Sequence, residues 1–485
     1  MARQDAVRAR GDDPGRSHDL ARTAALASWL WRPEGIQPVT ADLSTAPLAP
    51  GRLPLVGHAL PLMRDRLAFL QELRFHGPIV RITIGPKEVT VVNAPALIQE
   101  MLTGQADHFT KGWLFEKLKL FGKDALPVAE GPSHLARRRL MQPALHRQQV
   151  SGYVQTMQET VGPAVAAWRD QDVLDLKTEM QLLTQNTVMS VLFSARPDSG
   201  PAQAILQSVD RVFTAALRRA LLPVPVLERL PTRRNRQVTT ATRLLRTAVG
   251  AIIDAHRANP GAYDDIVSLL LAAPDVSDDE ILSEVIGLLA AGSETTAVVM
   301  AWLFHELGRH PDLEARLHDE VDTVLAGAPV TAERLPQLVF TRQLVSETLR
   351  LYSPAWLVTR QTTTSVQLGQ TRLPAGTDVV WSPYTLHRDP GLYANPQRFD
   401  PDRWGPTRPK PPKGAFIPFG AGKRQCMGDA FAWAEATLIT ALVASSWRLR
   451  PTPGARVRPV GAITVHPSSL RMTLEARHTT TREAA

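Results

Sequence analysis

Apolar and polar positions alternate from Ile79 to Val92 on either side of Gly85-Pro86, which predicts a β-hairpin that opens a small sheet. Most of the chain follows a helical period instead. Helices are expected over Arg66 to Phe75, over Pro95 to about Leu102, through most of Val150 to Arg257, and over Leu338 to Leu351. Ser277-Asp278-Asp279-Glu280 has the form of a capping box, with serine at the N-cap and glutamate three positions on. It opens a long apolar helix that His310-Pro311 ends; at ~1.5 Å per residue this helix runs roughly 50 Å. The alanine-rich stretch Asp429 to Ala436 starts another helix. Val366 to Trp381 alternates around Pro374-Ala375-Gly376 and adds strands to the small sheet, and Trp447 to Leu474 holds further short strands. Residues 1 to about 45 are rich in Arg, Asp and Pro without a sustained period, and read as a mobile extension. The pattern is that of a mainly α protein with a small β part.

Composition narrows this little. A chain of 485 residues with 44% hydrophobic and 21% charged residues is globular, and length alone suggests two or three domains. The apolar run from Ala24 to Trp31 is too short to span a bilayer and lacks a small-residue cleavage site, so neither a membrane anchor nor a signal peptide is expected. A net charge of +8 fits nucleic acid, an acidic membrane or an acidic protein. No aromatic–basic RNA motif or helix-turn-helix signal stands out, so nucleic acid is not an expected partner. Arginine far outnumbers lysine, a hint of a GC-rich bacterial genome.

The chemistry centres on Cys426, the only cysteine. It cannot form an intrachain disulfide, and a zinc site would need partners it lacks. Gly420, Gly422 and Gly428 let the backbone turn tightly and approach a flat ligand. A thiolate at the start of the following helix gains from free N–H groups and the helix dipole. Left to itself, the stretch is also consistent with a small buried cysteine in a Gly-rich turn.

Phe419, Gly422, Arg424, Cys426 and Gly428 fit F-x-x-G-x-R-x-C-x-G and resemble the heme-binding loop of the cytochrome P-450 superfamily, the heme-thiolate monooxygenases. Further stretches, in order from about 50 to 475, are similar to other motifs of that family. His134 and Arg138, at i and i+4 on one helical face, resemble the pair that clamps heme propionates. Without the cysteine loop they would read as a solvated basic face. Ala291-Gly292-Ser293-Glu294-Thr295-Thr296 places a glycine and a carboxylate inside an apolar helix, which is locally costly. It resembles the oxygen-activating motif. The resemblance implies that Gly292 loosens the helix, that Thr295 holds dioxygen and water, and that Glu294 relays protons. Glu347 and Arg350 form E-x-x-R, and Asn395-Pro396-Gln397-Arg398-Phe399 is similar to P-E-R-F with Gln397 in place of glutamate. The implied structural network is Glu347, Arg350 and Arg398. Arg360 matches a second propionate ligand, and Arg424 and Phe419 complete the cofactor contacts.

The resemblance implies a single domain over residues 46–478, preceded by the extension and followed by a short tail, 479–485. It has the cytochrome P-450 fold, a triangular helical part with a small β part. Heme b would lie between the oxygen-activating helix and the cysteine-loop helix, with Cys426 on the iron. Dioxygen, a hydrophobic substrate, a ferredoxin and its reductase would be its partners, and the protein would be a cytoplasmic monomer. Segment Asp107 to Leu126 reads by pattern as ordinary amphipathic core; by resemblance it roofs the pocket. Trp113, Phe115, Leu288, Ala291, Trp356, Leu357 and Ile463 are the candidate pocket residues, almost all apolar, suited to a hydrocarbon-like guest. The stretches from Pro50 to Asn93 and Glu347 to Pro383 are most similar to actinobacterial enzymes that oxidise cyclic terpenes. A macrolide, a steroid or a fatty acid stays open as substrate, as do peroxide-driven turnover and a heme-thiolate sensor. A Cys/His hydrolase is disfavoured, because no oriented His–Asn pair is evident.

Overall fold

The helix that begins after Ser277 organises the fold. The computed structural model describes residues 41–118, 125–221 and 232–477. In chain order its helices are α1 (Ala59–Arg64), α2 (Arg66–Leu73), α3 (Pro95–Leu102), α4 (Trp113–Leu118), α5 (Gly131–Met141), α6 (Arg147–Ala166), α7 (Leu176–Phe193) and α8 (Gly200–Leu221). There follow α9 (Arg233–Ala258), α10 (Ile266–Leu271), α11 (Asp278–Leu307), α12 (Pro311–Leu325), α13 (Val339–Leu351), α14 (Pro383–Leu386) and α15 (Asp429–Ser446). At the N-terminus of α11 the Glu280 carboxylate accepts from the Ser277 N–H and hydroxyl, each at 2.8 Å. This caps the otherwise unpaired first turn.

α11 is 30 residues long and packs against α7, α13 and α15. It is long and apolar enough to cross a membrane, yet 78% of its most apolar window is buried inside the protein. Its apolar character therefore belongs to a core helix. One large core joins α6, α7, α9, α11, α13 and α15, and two smaller cores serve the β part.

The hairpin read from the sequence is β2 (Ile79–Ile84) and β3 (Lys87–Val92), paired from Ile79 with Val92 to Ile84 with Lys87. It belongs to a five-stranded sheet in the order β2-β3-β9-β6-β4, with β4 Phe109–Thr110, β6 Val358–Thr362 and β9 Asp378–Trp381. Of the strands expected between Val366 and Trp381, only β9 joins this sheet. β7 (Val366–Leu368) and β8 (Thr371–Leu373) pair instead with β1 (Ala41–Asp42) in a sheet of their own. Near the C-terminus β10 (Trp447–Pro451) and β13 (Arg471–Ala476) pair with β5 (Val173–Asp175), while β11 (Pro459–Gly461) and β12 (Val465–Pro467) form a separate hairpin. Of the extension read from the sequence, residues 41–45 are ordered and begin with β1, paired to β8; residues 1–40, the tail and 119–124 of the expected pocket roof lie outside the described residues.

Candidate active site

The cysteine loop is folded by its own backbone. Cys426 N–H donates to the Phe419 carbonyl at 2.9 Å, and Gln425 N–H to the Gly422 carbonyl at 3.0 Å. Gly422 adopts φ +70°, and a Cβ there would lie 2.0 Å from the Leu102 carbonyl oxygen. Only glycine lets the loop press against the end of α3 in this way. The Cys426 side chain is accessible, yet it sits deep enough for desolvation to raise its pKa above the ordinary thiol value, against the lowering effect of the Gly428 N–H. The helix terminus alone does not produce a thiolate here; a coordinated cation would.

His387, which the sequence reading passed over, fixes the entrance to this loop. Its Nε2 accepts from the Ile417 N–H at 3.0 Å, so its Nδ1–H donates to Ser353 Oγ at 2.7 Å. Burial pushes its pKa down to about 3, so the ring is neutral. The signal lay in Leu386-His387-Arg388-Asp389-Pro390, a polar run inside an apolar setting.

Beside the loop lies a half-buried to buried group of cations. Arg424 donates to Glu130 at 2.5 Å, and Arg138 donates to the Gln425 carbonyl at 2.5 Å. Arg360 is 7% exposed; desolvation lowers it to about 10, with Arg424 adding to the effect. His134 is pushed by burial to about 4, with Lys111, Arg424 and Arg138 reinforcing the shift. Lys111, not anticipated from the sequence, donates to the carbonyls of Leu126 and Pro127 at 2.7 and 2.9 Å. Desolvation brings it to about 7 despite Glu130 and Glu284. Glu130 is the carboxylate that Lys111, Arg360 and Arg424 share. The group is short of negative charge, and an added dicarboxylate would stabilise it. The two propionates of heme b have that chemistry, so these residues fit the cofactor.

On α11, Ile281 to Leu307 is largely buried, but Gly287, Ala291, Gly292, Glu294 and Thr295 are not. Gly287, Ala291 and Thr295 follow at i, i+4 and i+8, so they form one accessible face across the middle of a buried helix. Thr295 Oγ donates to the Ala291 carbonyl at 2.8 Å, and Glu294 accepts from Thr464 at 3.1 Å. The helix runs unbroken through Gly292, so the expected loosening is absent. A Cβ at Gly292 would lie 3.2 Å from Val188; the glycine serves the close approach of α7. α11 and α15 meet at Met300 and Thr440, 3.6 Å apart. From Thr440 the α15 axis runs about 16 Å back to Asp429, so α15 ties the cysteine loop to α11.

The network expected of Glu347, Arg350 and Arg398 forms with a different third member. Arg350 is fully buried and bonds Glu347 through two N–H groups at 2.9 and 2.8 Å. It also donates to the carbonyls of His387, Pro396 and Arg398. The Arg398 side chain is exposed and contributes only that carbonyl. Arg403 approaches Glu347 at 3.5 Å, and Trp404 Nε1 and Asp400 N–H donate to it at 2.9 and 3.0 Å. Pro396-Gln397-Arg398-Phe399 and Pro401-Asp402-Arg403-Trp404 share one spacing, and the second supplies the side chain.

Two pocket expectations also change. Trp356 is 6% exposed, packs in the core of the small sheet and donates to the Ala462 carbonyl at 2.8 Å. Leu288 is buried in the main core. Trp113, Phe115, Leu357 and Ile463 are half-buried and Ala291 is accessible. The Lys87 ammonium lies 5.3 Å from the Trp113 ring. Half-buried Val358 and exposed Ala355 flank Trp356 and Leu357 instead.

The sequence model of the cytochrome P-450 family matches residues 47–473. The chain is 40% identical to cyclooctatin synthase of Streptomyces melanosporofaciens, over 89% of this chain and 95% of that protein. It is 39% identical to pentalenene oxygenase of Streptomyces avermitilis, over 88% and 97%. It is 37% identical to cyclooctat-9-en-7-ol 5-monooxygenase of Streptomyces melanosporofaciens, over 91% and 99%. The fold is similar to a crystal structure of a cytochrome P-450 with a TM-score of 0.80, at 26% identity, covering 91% of this chain and all of that one. With its cysteine loop, its cationic group and these likenesses, the chain belongs to the cytochrome P-450 family and is a heme b-dependent monooxygenase.

Proposed function

We propose that this monooxygenase oxidises a cyclic terpene with dioxygen and electrons from a ferredoxin. The observation that carries the reading is the accessible face of Gly287, Ala291 and Thr295 within a buried helix. It offers a bulky hydrocarbon an apolar wall with a single hydroxyl. Three relatives at 37 to 40% identity support the substrate class; their names are those of a cyclooctatin synthase, a pentalenene oxygenase and a cyclooctatenol monooxygenase.

Bound heme supplies the activation of dioxygen and the insertion of one oxygen atom into a C–H bond, with the other leaving as water. Cys426 would ligate the iron as thiolate, and Arg360, Arg424, His134, Arg138 and Lys111 would hold the propionates. Thr295 Oγ, now bonded to Ala291, would turn to hold water or dioxygen. Glu294, placed by Thr464, would pass protons inward from solvent. Exposed Arg139, Arg147, Arg342 and Lys423 are basic side chains on elements next to the cysteine loop. Arg342 lies 4.9 Å from the Trp433 ring, itself 6.0 Å from Phe419. An acidic ferredoxin would dock there on a cytoplasmic monomer.

The test is a panel of cyclic terpenes, macrolides, steroids and fatty acids, scored by the low- to high-spin shift of the Soret band and by product formed with a surrogate ferredoxin. A terpene should give both. A shift and product confined to another class would replace this reading. Thr295→Ala should keep the spectral shift but send electrons to peroxide; undiminished product per electron would remove Thr295 from its role.

A further inference from the structure

Exposed large apolar side chains concentrate in one place among the described residues: Leu48, Leu53, Leu55, Val56, Leu60 and Met63. Leu55 is 93% exposed and Met63 76%. Leu53 and Gly57 exchange two backbone hydrogen bonds of 2.9 Å, which closes a tight hairpin with Pro54, Leu55 and Val56 at its tip. Leu55 holds φ +64°, a conformation leucine rarely adopts.

The base of this hairpin is rigid. A Cβ at Gly57 would lie 2.4 Å from the Thr83 carbonyl oxygen, so the hairpin presses directly on β2. His58 is fully buried; its Nδ1 accepts from the Thr83 N–H at 3.0 Å and its Nε2 donates to the Ala49 carbonyl at 3.0 Å. The apolar tip is thus held outward by a fixed support, not left over from a loose loop.

We infer that residues 48–63 are a docking surface for an anionic lipid bilayer. The side chains stand as knobs on a protruding tip and on the short helix α1. A fluid interface accepts such knobs without a matching cavity. Arg52 and Arg64 are exposed beside them, placed for lipid phosphates. Asp65, the cap of α2, accepts from the Ala68 N–H at 3.0 Å; two exposed arginines stand against this one carboxylate in the stretch. A second copy docking through the same patch would set these arginines against their own images, which like-charge repulsion opposes. Arg66, just beyond the patch, donates to the Gly461 carbonyl at 2.9 Å, and the turn that follows Gly461 carries Ile463 and the Thr464 that bonds Glu294. The docking surface stands whichever substrate class the enzyme takes.

Co-sedimentation of the full-length holoprotein with vesicles tests this. Binding to phosphatidylcholine vesicles containing phosphatidylglycerol should fall steeply with salt. Leu55→Ser with Met63→Ser should lower it at least tenfold, with the carbon monoxide spectrum and melting temperature unchanged. Arg52→Glu with Arg64→Glu should weaken it by about thirtyfold or more, at ~1 kcal/mol per arginine near such a surface. Trp29→Ser with Trp31→Ser, in the N-terminal extension, should leave it intact. No binding to these vesicles, equal binding by the Leu55/Met63 variant, or loss in the Trp29/Trp31 variant would each overturn the inference. So would a concentration-dependent dimer, abolished by Leu55→Ser with Met63→Ser, in a protein that ignores vesicles.

Discussion

Glu435 carries a buried carboxyl whose two oxygens lack hydrogen-bond partners within the normal distance. Desolvation raises its pKa well above the ordinary value, opposed by nearby Thr296. It is therefore a neutral acid in the heart of α15. Glu435→Gln should keep fold and heme, because the amide matches the shape of the protonated acid. The infrared band of a protonated buried carboxyl should vanish in that variant; a wild type without the band would show the group ionised. Arg398 and Arg403 make a second comparison at this scale. Glu347→Ala should cost about 3–5 kcal/mol, since it leaves Arg350 buried and unpaired. Arg403→Ala should be clearly destabilising, and Arg398→Ala should stay within about 0.5 kcal/mol because its side chain reaches solvent. Thermal melts of the three variants check the ranking. The sequence could not separate the two arginines, because proline, arginine and an aromatic recur at one spacing five residues apart. Burial decides between them, and burial is a property of the folded chain.

At the scale of elements, the long helix was legible because cap, apolar run and stop all agree. What it does at Gly292 was not. A glycine in a helix reads locally as weakness, yet its use here is the 3.2 Å approach to Val188 on α7, a neighbour about a hundred residues away. The glycine of the cysteine loop was legible as a tight turn, but not as a surface against α3. Gly422→Ala adds a methyl where only 2.0 Å separates it from the Leu102 carbonyl oxygen, in a left-handed backbone that alone costs roughly 1–2 kcal/mol. The variant should lose the red-displaced carbon monoxide band of thiolate ligation; a normal band in a stable Gly422→Ala protein would refute the close contact. His387 escaped notice because its work is to join Ser353 to Ile417, two segments that the sequence keeps 64 residues apart. The split of the strands after Val366 into a second sheet escaped notice for the same reason, since alternation specifies a strand but not its partner.

For the whole molecule, the order of motifs was enough to fix the architecture, while the pocket side chains were not legible: Trp356, expected among them, turns into the core of the small sheet. The response of stability to pH is another property of the whole. His305 packs edge-on against Trp302 with ring centroids 5.5 Å apart, and its Nδ1 has no partner. Desolvation, helped by Arg309 and His310, lowers its pKa from 6.5 to about 4. The unfolded chain thus binds this proton first on acidification. The contribution of His305 is complete above about pH 6.5 and is lost as pH falls towards 4. His305→Phe should flatten the stability profile by up to about 1.4 kcal/mol per pH unit in that window, read from urea midpoints at successive pH values. A profile parallel to wild type would show the imidazole to be charged in the native state.

The knot around Glu347 has a consequence for assembly. Its ties run from one helix to His387, Pro396, Asp400, Arg403 and Trp404, so none can close until the irregular stretch ahead of the cysteine has come home. The sulfur is therefore held in place by chain that carries little regular structure of its own. A cofactor held by Cys426 would share that anchorage with the helices, so warming should release pigment and helices together rather than in succession.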